Sequence, residues 1–310
     1  MTSRITLRNT NLSVYPLCLG TNVFGFSSTE AESFEVLDAY YEAGGNFIDT
    51  ADMYSEWKPG NKGGESETII GNWMKARGNR HEMVIATKVS KLSTRPGLSA
   101  SNIKAALDDS LRRLQTDHID MYYAHEDDST VALEETLSAF GDVIAAGKVR
   151  VIAASNYSGD RLREAAAVGK ANNLPSYIAV QNQYNVMDRQ PFESDVAPAV
   201  EELGITSVPY YGLARGFLTG KYRPGVVVES VRAGGVAGYQ TDRGWKILET
   251  IDSVAQELNT TLSAVALAWL RAHGSIPIAS ARIATQAKEI LPLIELNSAH
   301  IAAIDSASTV

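Results

Sequence analysis

The chain has 310 residues, 45% of them apolar and 21% charged, a composition ordinary for a globular protein that can bury a large core without disulfides. Its formal charge of −8 disfavours nucleic acid as a partner, and its single cysteine, Cys18, excludes an internal disulfide and indicates a reducing compartment. No apolar run is long enough to span a bilayer and the N-terminus lacks a signal-peptide core, so we expect a cytoplasmic protein without a membrane partner.

Short apolar runs alternate with longer segments of helical periodicity along the chain. This alternation predicts parallel strands with helical crossovers, and eight such units in 310 residues predict a closed (β/α)8 TIM barrel. We expect one domain over 1–310 with an N-terminal strand segment. The strand candidates occupy 14–20, 46–49, 82–88, 118–125, 149–156, 177–185, 205–212 and 275–280.

An open doubly wound sheet is the alternative fold. It should carry G-x-G-x-x-G after its first strand, and that fingerprint is absent. The stretch "RAGGVAG" at 232–238 does not match it and is interpreted as a loop. Two longer loops, 56–65 and 215–243, follow strand candidates and would extend the C-terminal face of a barrel, where long loops are usually functional.

Each strand candidate is apolar until its C-terminal end, where polar or aromatic residues follow. The C-terminal ends of barrel strands converge on one mouth, which is where barrel enzymes place their active sites. The residues at these ends are Gly20, Thr21, Asn22, Asp49, Lys88, His125, Ser155, Asn156, Gln181, Asn182, Tyr210, Tyr211 and Ser280.

Among the five histidines, His125 alone ends a strand candidate. His81 and His118 precede strands, and His273 and His300 belong to late helical segments. His125 is therefore a candidate functional residue. No second histidine lies at a strand end and no Cys/His cluster is present, so we predict no metal site.

Lys88 ends an apolar run. Burying an ammonium there costs desolvation free energy unless an anion pairs with it. Asp49 on the neighbouring strand is the expected partner, and Tyr54 follows five residues later. An ammonium about 4 Å from the phenol, at an effective dielectric of ~20, contributes roughly 4 kcal/mol and lowers a pKa by up to about 3. With Lys88 between the other two groups, the pKa of Tyr54 is expected to fall towards neutral. We interpret Asp52 as a turn or capping residue.

These residues resemble the aldo-keto reductase superfamily. "NFIDTADMYS" is similar to the family's D-T-A-x-x-Y segment, and the remaining segments follow in the family's order over about residues 5–295. They are "VIATK", "DMYYAH", "AASN", "AVQNQYN", "PYYGLARGFLTGKY" and "PIASARIATQAKE".

The resemblance implies a barrel that binds NADPH across its mouth and reversibly reduces an aldehyde or ketone to the alcohol. Tyr54 would donate the proton, Lys88 held by Asp49 would lower the pKa of Tyr54, and His125 would orient the carbonyl oxygen. Arg282 would meet the 2′-phosphate, which favours NADPH over NADH. The implied cofactor contacts are Gly20, Thr21, Asn22, Ser155, Asn156, Gln181, Tyr210, Leu213, Arg215, Gly216, Leu218, Gly220, Lys221, Ser280, Arg282, Gln286 and Glu289.

Three positions depart from the family pattern. Gly212 replaces a common proline and is expected to loosen the loop, Ser280 replaces a glycine, and Ile290 replaces an asparagine on the adenine side. Candidate substrate-wall residues are Phe24, Trp57, Tyr123, Glu126 and Tyr239. A small carbonyl or alcohol substrate is the expected partner, and monomer and homo-oligomer both remain open.

Two other functions remain as alternatives. One is a Schiff-base aldolase that uses Lys88 as its nucleophile. The other is an NADPH-binding barrel that regulates a partner without significant turnover.

Overall fold

The computed structural model describes residues 4–228 and 233–309. The chain begins with an antiparallel hairpin of β1 (Ile5–Thr6) and β2 (Ser13–Val14). Leu7, Leu12 and Val14 are buried with apolar side chains of the barrel interior. The hairpin therefore closes the N-terminal end of the barrel with an apolar plug.

Eight strands form a parallel sheet in the order β10-β3-β4-β5-β6-β7-β8-β9. The ring closes because Ile276 N donates to Ser207 O and Ile278 N donates to Pro209 O, each at 2.9 Å. The predicted (β/α)8 barrel is thus confirmed. The strands are β3 (Cys18–Gly20), β4 (Phe47–Asp49), β5 (Val84–Val89), β6 (Ile119–Ala124), β7 (Val149–Ser155), β8 (Ala179–Gln181), β9 (Thr206–Ser207) and β10 (Ile278–Ala279).

Helices surround the barrel and contribute apolar side chains to the main hydrophobic core. A π-helical turn, Phe192–Val196, leads into α6, and short 3-10 turns occupy Arg80–Glu82, Ala214–Thr219 and Ala237–Tyr239. The helices are α1 (Glu30–Glu42), α2 (Glu65–Arg77), α3 (Ala100–Leu114), α4 (Leu133–Ala145), α5 (Gly159–Asn172), α6 (Ala197–Leu203), α7 (Ala233–Val236), α8 (Asp242–Glu257), α9 (Leu262–Ala272), α10 (Ala284–Ile290) and α11 (Ser298–Ser308).

Capping residues fix where the helices begin. Thr29 and Glu32 form a capping box at the start of α1: the Glu32 amide donates to Thr29 Oγ1 at 3.3 Å, and the Thr29 amide donates to Glu32 Oε2 at 2.8 Å. Of the two serines that could cap α3, Ser99 does so, because its hydroxyl accepts from the Asn102 amide at 3.3 Å.

Two short helical turns lie in the described part of the segment after β9. The stretch 232–238 was expected to be a loop, but α7 and the turn Ala237–Tyr239 cover most of it. That expectation is corrected for 233–238, and residues 229–232 of the predicted long loop lie outside the described residues. In the described ranges, no helix combines the length and the apolar character needed to cross a membrane.

Candidate active site

Three neighbouring strands bring the predicted catalytic residues together at the C-terminal mouth. Asp49 ends β4, Lys88 lies near the end of β5, and His125 directly follows β6, while Tyr54 lies on the turn after β4. Asp49, Tyr54 and His125 line a cleft of about 840 Å³. The order of the strands in the sheet therefore explains why residues far apart in sequence share one site.

Lys88 is fully buried and all three of its donors are used. Its Nζ lies 2.6 Å from Asp49 Oδ2, 2.7 Å from the Thr50 carbonyl oxygen and 2.9 Å from the Tyr54 hydroxyl. Burial lowers the pKa of Lys88, and the Asp49 carboxylate opposes this. The lysine is thus held as the link between the carboxylate and the phenol, as the sequence predicted.

The electrostatics of Tyr54 differ from the expectation. Its hydroxyl donates to Asp49 Oδ2 at 3.3 Å, so the carboxylate reaches the phenol directly instead of being separated from it by Lys88. Burial, followed by the Asp49 charge, raises the pKa of Tyr54 well above 10. The prediction of a pKa near neutral is therefore wrong for the free protein, where Tyr54 keeps its proton.

His125 is a neutral imidazole at neutral pH. Burial is the main cause of a pKa well below 6.5, and the Lys88 and Lys91 charges lower it further. Its ring centroid lies 6.0 Å from that of Tyr54, and Asn156 Nδ2 donates to the His125 carbonyl oxygen at 2.9 Å. The imidazole can therefore offer a hydrogen bond beside the phenol without carrying charge.

A hydrogen-bond chain joins four of the predicted cofactor residues to the catalytic carboxylate. Gln181 Nε2 donates to Asp49 Oδ1 at 2.8 Å, and the Ser155 hydroxyl donates to the Gln181 carbonyl oxygen at 2.8 Å. Asn156 Nδ2 donates to Ser155 Oγ at 3.1 Å, and the Tyr210 hydroxyl donates to Asn156 Oδ1 at 2.9 Å. Asp49 is thereby connected to four residues that line the cleft.

Most of the predicted cofactor residues line the cleft. The two exceptions are Thr21 and Leu218, which are fully buried; the Thr21 hydroxyl donates to the Asp49 carbonyl oxygen at 2.8 Å and so supports the site from behind. Neither Thr21 nor Leu218 is among the residues that line the cleft, and their direct contact with a cofactor stays a prediction. The residues that do line the cleft are Gly20, Asn22, Ser155, Asn156, Gln181, Tyr210, Leu213, Arg215, Gly216, Gly220, Lys221, Ser280, Arg282, Gln286 and Glu289.

The loop after β9 presents cations to the cleft through an unusual backbone. Arg215 has φ 57° and its guanidinium lies 4.3 Å from the centroid of the Tyr211 ring. Gly216 follows with φ 96°, a conformation that favours glycine. Arg215 and Lys221 from this loop and Arg282 from the loop after β10 all line the cleft.

The predicted substrate wall is only partly correct. Trp57 lines the cleft, and 44% of it is exposed. Phe26, which the sequence analysis did not name, also lines the cleft. Phe24 is fully buried and lies outside the cleft lining, so it is corrected to a core residue. Tyr123 is also fully buried, and its ring lies 5.8 Å from Lys88 Nζ, behind the site rather than on its wall.

Two further wall candidates contact other side chains rather than the cleft. Glu126 forms an ion pair with Lys91, and Lys91, not Glu126, lines the cleft. The Tyr239 hydroxyl donates to Asp188 Oδ2 at 2.6 Å, and Tyr239 is not among the residues that line the cleft. The sequence could have indicated Lys91 as a cleft residue, because it is a second lysine only three residues after Lys88.

Asp52 lies in the turn after β4, as predicted, but it does not cap a helix. Its side chain is buried and makes no hydrogen bond of good geometry with a described residue. Burial is the main cause that raises its pKa to about 7; the nearby Glu67 charge adds to it, while Arg113 and Arg95 oppose it. The turn half of the interpretation of Asp52 is therefore confirmed, and the capping half is wrong.

The departures from the family pattern have local reasons. A Cβ on Gly212 would lie 3.0 Å from Leu270 Cδ1 and 3.2 Å from Leu267 Cδ2, so this glycine permits close packing on α9 rather than loosening the loop. The Ser280 hydroxyl donates to Asn22 Oδ1 at 3.0 Å, and this bond connects the loop after β10 to the loop after β3. Ile290 lines the cleft and contributes no polar group to it.

Comparison with known proteins agrees with this geometry. The model of the aldo/keto reductase family matches residues 16–309. The uncharacterized oxidoreductase YrpG of Bacillus subtilis is 34% identical over 305 residues, covering 94% of this chain and 90% of that protein. Norsolorinic acid reductase A of Aspergillus parasiticus is 31% identical over 312 residues, covering 94% of this chain and 77% of that protein.

Two further comparisons extend this result. Aryl-alcohol dehydrogenase [NADP(+)] of Phanerodontia chrysosporium is 32% identical over 297 residues, covering 84% of this chain and 72% of that protein. The solved glycerol dehydrogenase of Gluconobacter oxydans has a TM-score of 0.83 at 21% identity, covering 99% of this chain and 95% of that one, a likeness that supports the barrel fold. With a family model that spans nearly the whole sequence, the chain belongs to the aldo/keto reductase family.

Proposed function

We propose that the chain is a cytoplasmic, single-domain enzyme that reversibly reduces an aldehyde or ketone with NADPH. The observation that carries this proposal is the contact set of Lys88, whose ammonium bonds both the Asp49 carboxylate and the Tyr54 hydroxyl at the floor of the cleft. A half-buried phenol beside a fully buried ammonium is a proton donor whose conjugate base is stabilised as it forms.

The cleft suits an extended dinucleotide. The ends of β7 and β8 supply a hydroxyl and two amide side chains, Ser155, Asn156 and Gln181, which match a carboxamide in donors and acceptors. The loops after β9 and β10 supply Arg215, Lys221 and Arg282, which match anionic phosphates. NADPH supplies a hydride when bound, and we assign these residues to holding it.

Residues of the chain would supply the proton and stabilise the charge that its transfer leaves behind. Tyr54 holds it at Oη, because burial and Asp49 raise the pKa of the phenol, and would donate it to the carbonyl oxygen of the substrate. Lys88 would stabilise the phenolate that remains, with Asp49 holding Lys88 in place. His125, being neutral, would position the same carbonyl oxygen by a hydrogen bond without adding charge.

The wall of the cleft favours an aromatic carbonyl substrate. Phe26 and Trp57 meet edge to face with ring centroids 5.8 Å apart, and Trp57 lies 6.1 Å from the Tyr54 ring. Such a wall packs well on a flat ring. The name of one relative, an aryl-alcohol dehydrogenase, points in the same direction.

The aldolase alternative fits the geometry less well. A Schiff-base lysine must be free and unprotonated, whereas all three donors of Lys88 are bonded and its side chain is fully buried. The alternative of a regulatory barrel predicts that the protein binds NADPH without oxidising it, whereas our proposal predicts oxidation.

The test compares two Tyr→Phe variants. Tyr54→Phe should lower the rate of NADPH oxidation with 4-nitrobenzaldehyde by at least about 100-fold, because it removes the acid, while NADPH binding followed by fluorescence stays intact. Tyr41→Phe is the control, since its hydroxyl bonds Glu82 on the outer surface. Normal turnover in Tyr54→Phe would refute the role of Tyr54, and NADPH binding without turnover in the unaltered protein would favour the regulatory barrel.

A further inference from the structure

The cleft contains one cation that the proposed cofactor does not need. Lys91 lies two residues beyond β5, and β5 is opposite β9 in the eight-stranded ring. Arg215 and Lys221, assigned above to phosphates, follow β9. Lys91 is therefore on the far side of the barrel mouth from these two cations.

Lys91 is instead close to the catalytic groups. Its strand, β5, lies between β4 and β6, which carry Asp49 and His125 at their ends. Lys91, Tyr54, Trp57 and His125 all line the same cleft. The Lys91 charge also lowers the pKa of His125, which indicates that the two are close enough to interact.

Lys91 is paired with Glu126, and of these two residues only Lys91 lines the cleft. The two side chains are 36% and 51% exposed, and such a pair contributes at most about 1 kcal/mol. An ammonium has three N–H donors, so Lys91 can bind a second anion while it stays paired with Glu126.

We propose that Lys91 is a specificity-determining residue that selects an aromatic carbonyl substrate carrying an anionic substituent, such as a carboxylate. The ring would pack on Phe26 and Trp57, the carbonyl oxygen would face Tyr54 and His125, and the substituent would meet Lys91. This inference rests on the proposed reductase function and names its substrate class.

The test uses pairs of substrates that differ in charge. We would measure kcat/KM for 3- and 4-formylbenzoate and for their methyl esters in the unaltered protein and in Lys91→Met. The ratio of the carboxylate to its ester should fall about tenfold in the variant for at least one isomer, because a charge-assisted hydrogen bond is lost. Comparing ratios cancels the different intrinsic reactivities of acid and ester.

Three further variants sharpen the result. Lys91→Arg should keep the ratio, and Glu126→Gln should raise it because the competing carboxylate is gone. Lys104→Met is the matched control, since Lys104 pairs with Asp142 on the outer helices and its loss changes the net charge equally. Added salt should raise KM for the carboxylates and leave KM for the esters unchanged.

The failures are distinguishable. A ratio that is the same in the unaltered protein, Lys91→Met and Lys104→Met would overturn the role of Lys91 while leaving the reductase intact. If no formylbenzoate, no methyl ester and not even 4-nitrobenzaldehyde causes NADPH to be oxidised, the proposed function itself is overturned.

Discussion

Gln181 Nε2 donates to Asp49 Oδ1 at 2.8 Å, although the two residues are 132 positions apart in the sequence. The other oxygen of Asp49 accepts from Lys88 and from Tyr54. One carboxylate therefore connects Gln181, which we assign to the cofactor, with Tyr54, the proposed proton donor.

The Asp49–Lys88 pair should reveal its coupling in a double-mutant cycle. Lys88→Met or Asp49→Asn alone should each cost roughly 3–5 kcal/mol of unfolding free energy, because each disrupts a buried pair. The double variant should cost clearly less than the sum, since no uncompensated charge remains. All three should lose activity. Urea denaturation measures the stabilities, and strictly additive losses would contradict the coupling.

The arrangement of the proposed catalytic residues was predictable from the sequence because parallel strands of a closed barrel end at the same mouth. Apolar runs that end in Asp49, Lys88 and His125 must converge if the strands are parallel and the sheet closes. The pairing of Lys88 with Asp49 also followed, since a lysine buried at a strand end needs an anion.

The pKa of Tyr54 was not predictable by the same reasoning. Its direction depends on whether Asp49 Oδ2 reaches the phenol as well as the ammonium, and it does so at 3.3 Å. Strand order fixes neighbours but not the rotation of a carboxylate. For the same reason the sequence could not tell that Phe26 lines the cleft while Phe24, two residues earlier in the loop after β3, is buried.

Asp52 should make stability depend on pH in an unusual direction. Its pKa is about 7 in the folded chain and near 3.9 when unfolded, so folding binds a proton between these values and stability falls as pH rises from about 4 to 7. Asp52→Asn removes this cost, at most about 4 kcal/mol, and should raise the melting temperature at pH 8 more than at pH 5. An equal change at both values would contradict the burial of an ionisable group.

His125 should stay neutral well below its ordinary titration range. Its folded pKa lies below 6.5, so its contribution to stability is constant above pH 6.5 and decreases as the pH falls below that value. Lys91→Met removes one of the charges that lower the pKa and should move the titration upward, whereas Lys104→Met should not. NMR of the ring protons, assigned by their loss in His125→Gln, measures both shifts. A titration midpoint at or above 6.5 in the unaltered protein would contradict this account.

Arg282 should decide between NADPH and NADH without supporting its own loop. Its backbone is held independently of its guanidinium, since its amide donates to Gln286 Oε1 at 3.0 Å and its carbonyl oxygen accepts from Ser28 Oγ at 2.9 Å. Arg282→Ala should therefore leave the loop in place and raise the Kd for NADPH about tenfold or more, because a charge-assisted contact to the 2′-phosphate is lost. The Kd for NADH should change little. Lys288→Ala, which removes the same charge from α10 outside the cleft lining, is the control, and equal losses for the two cofactors in Arg282→Ala would contradict the assignment.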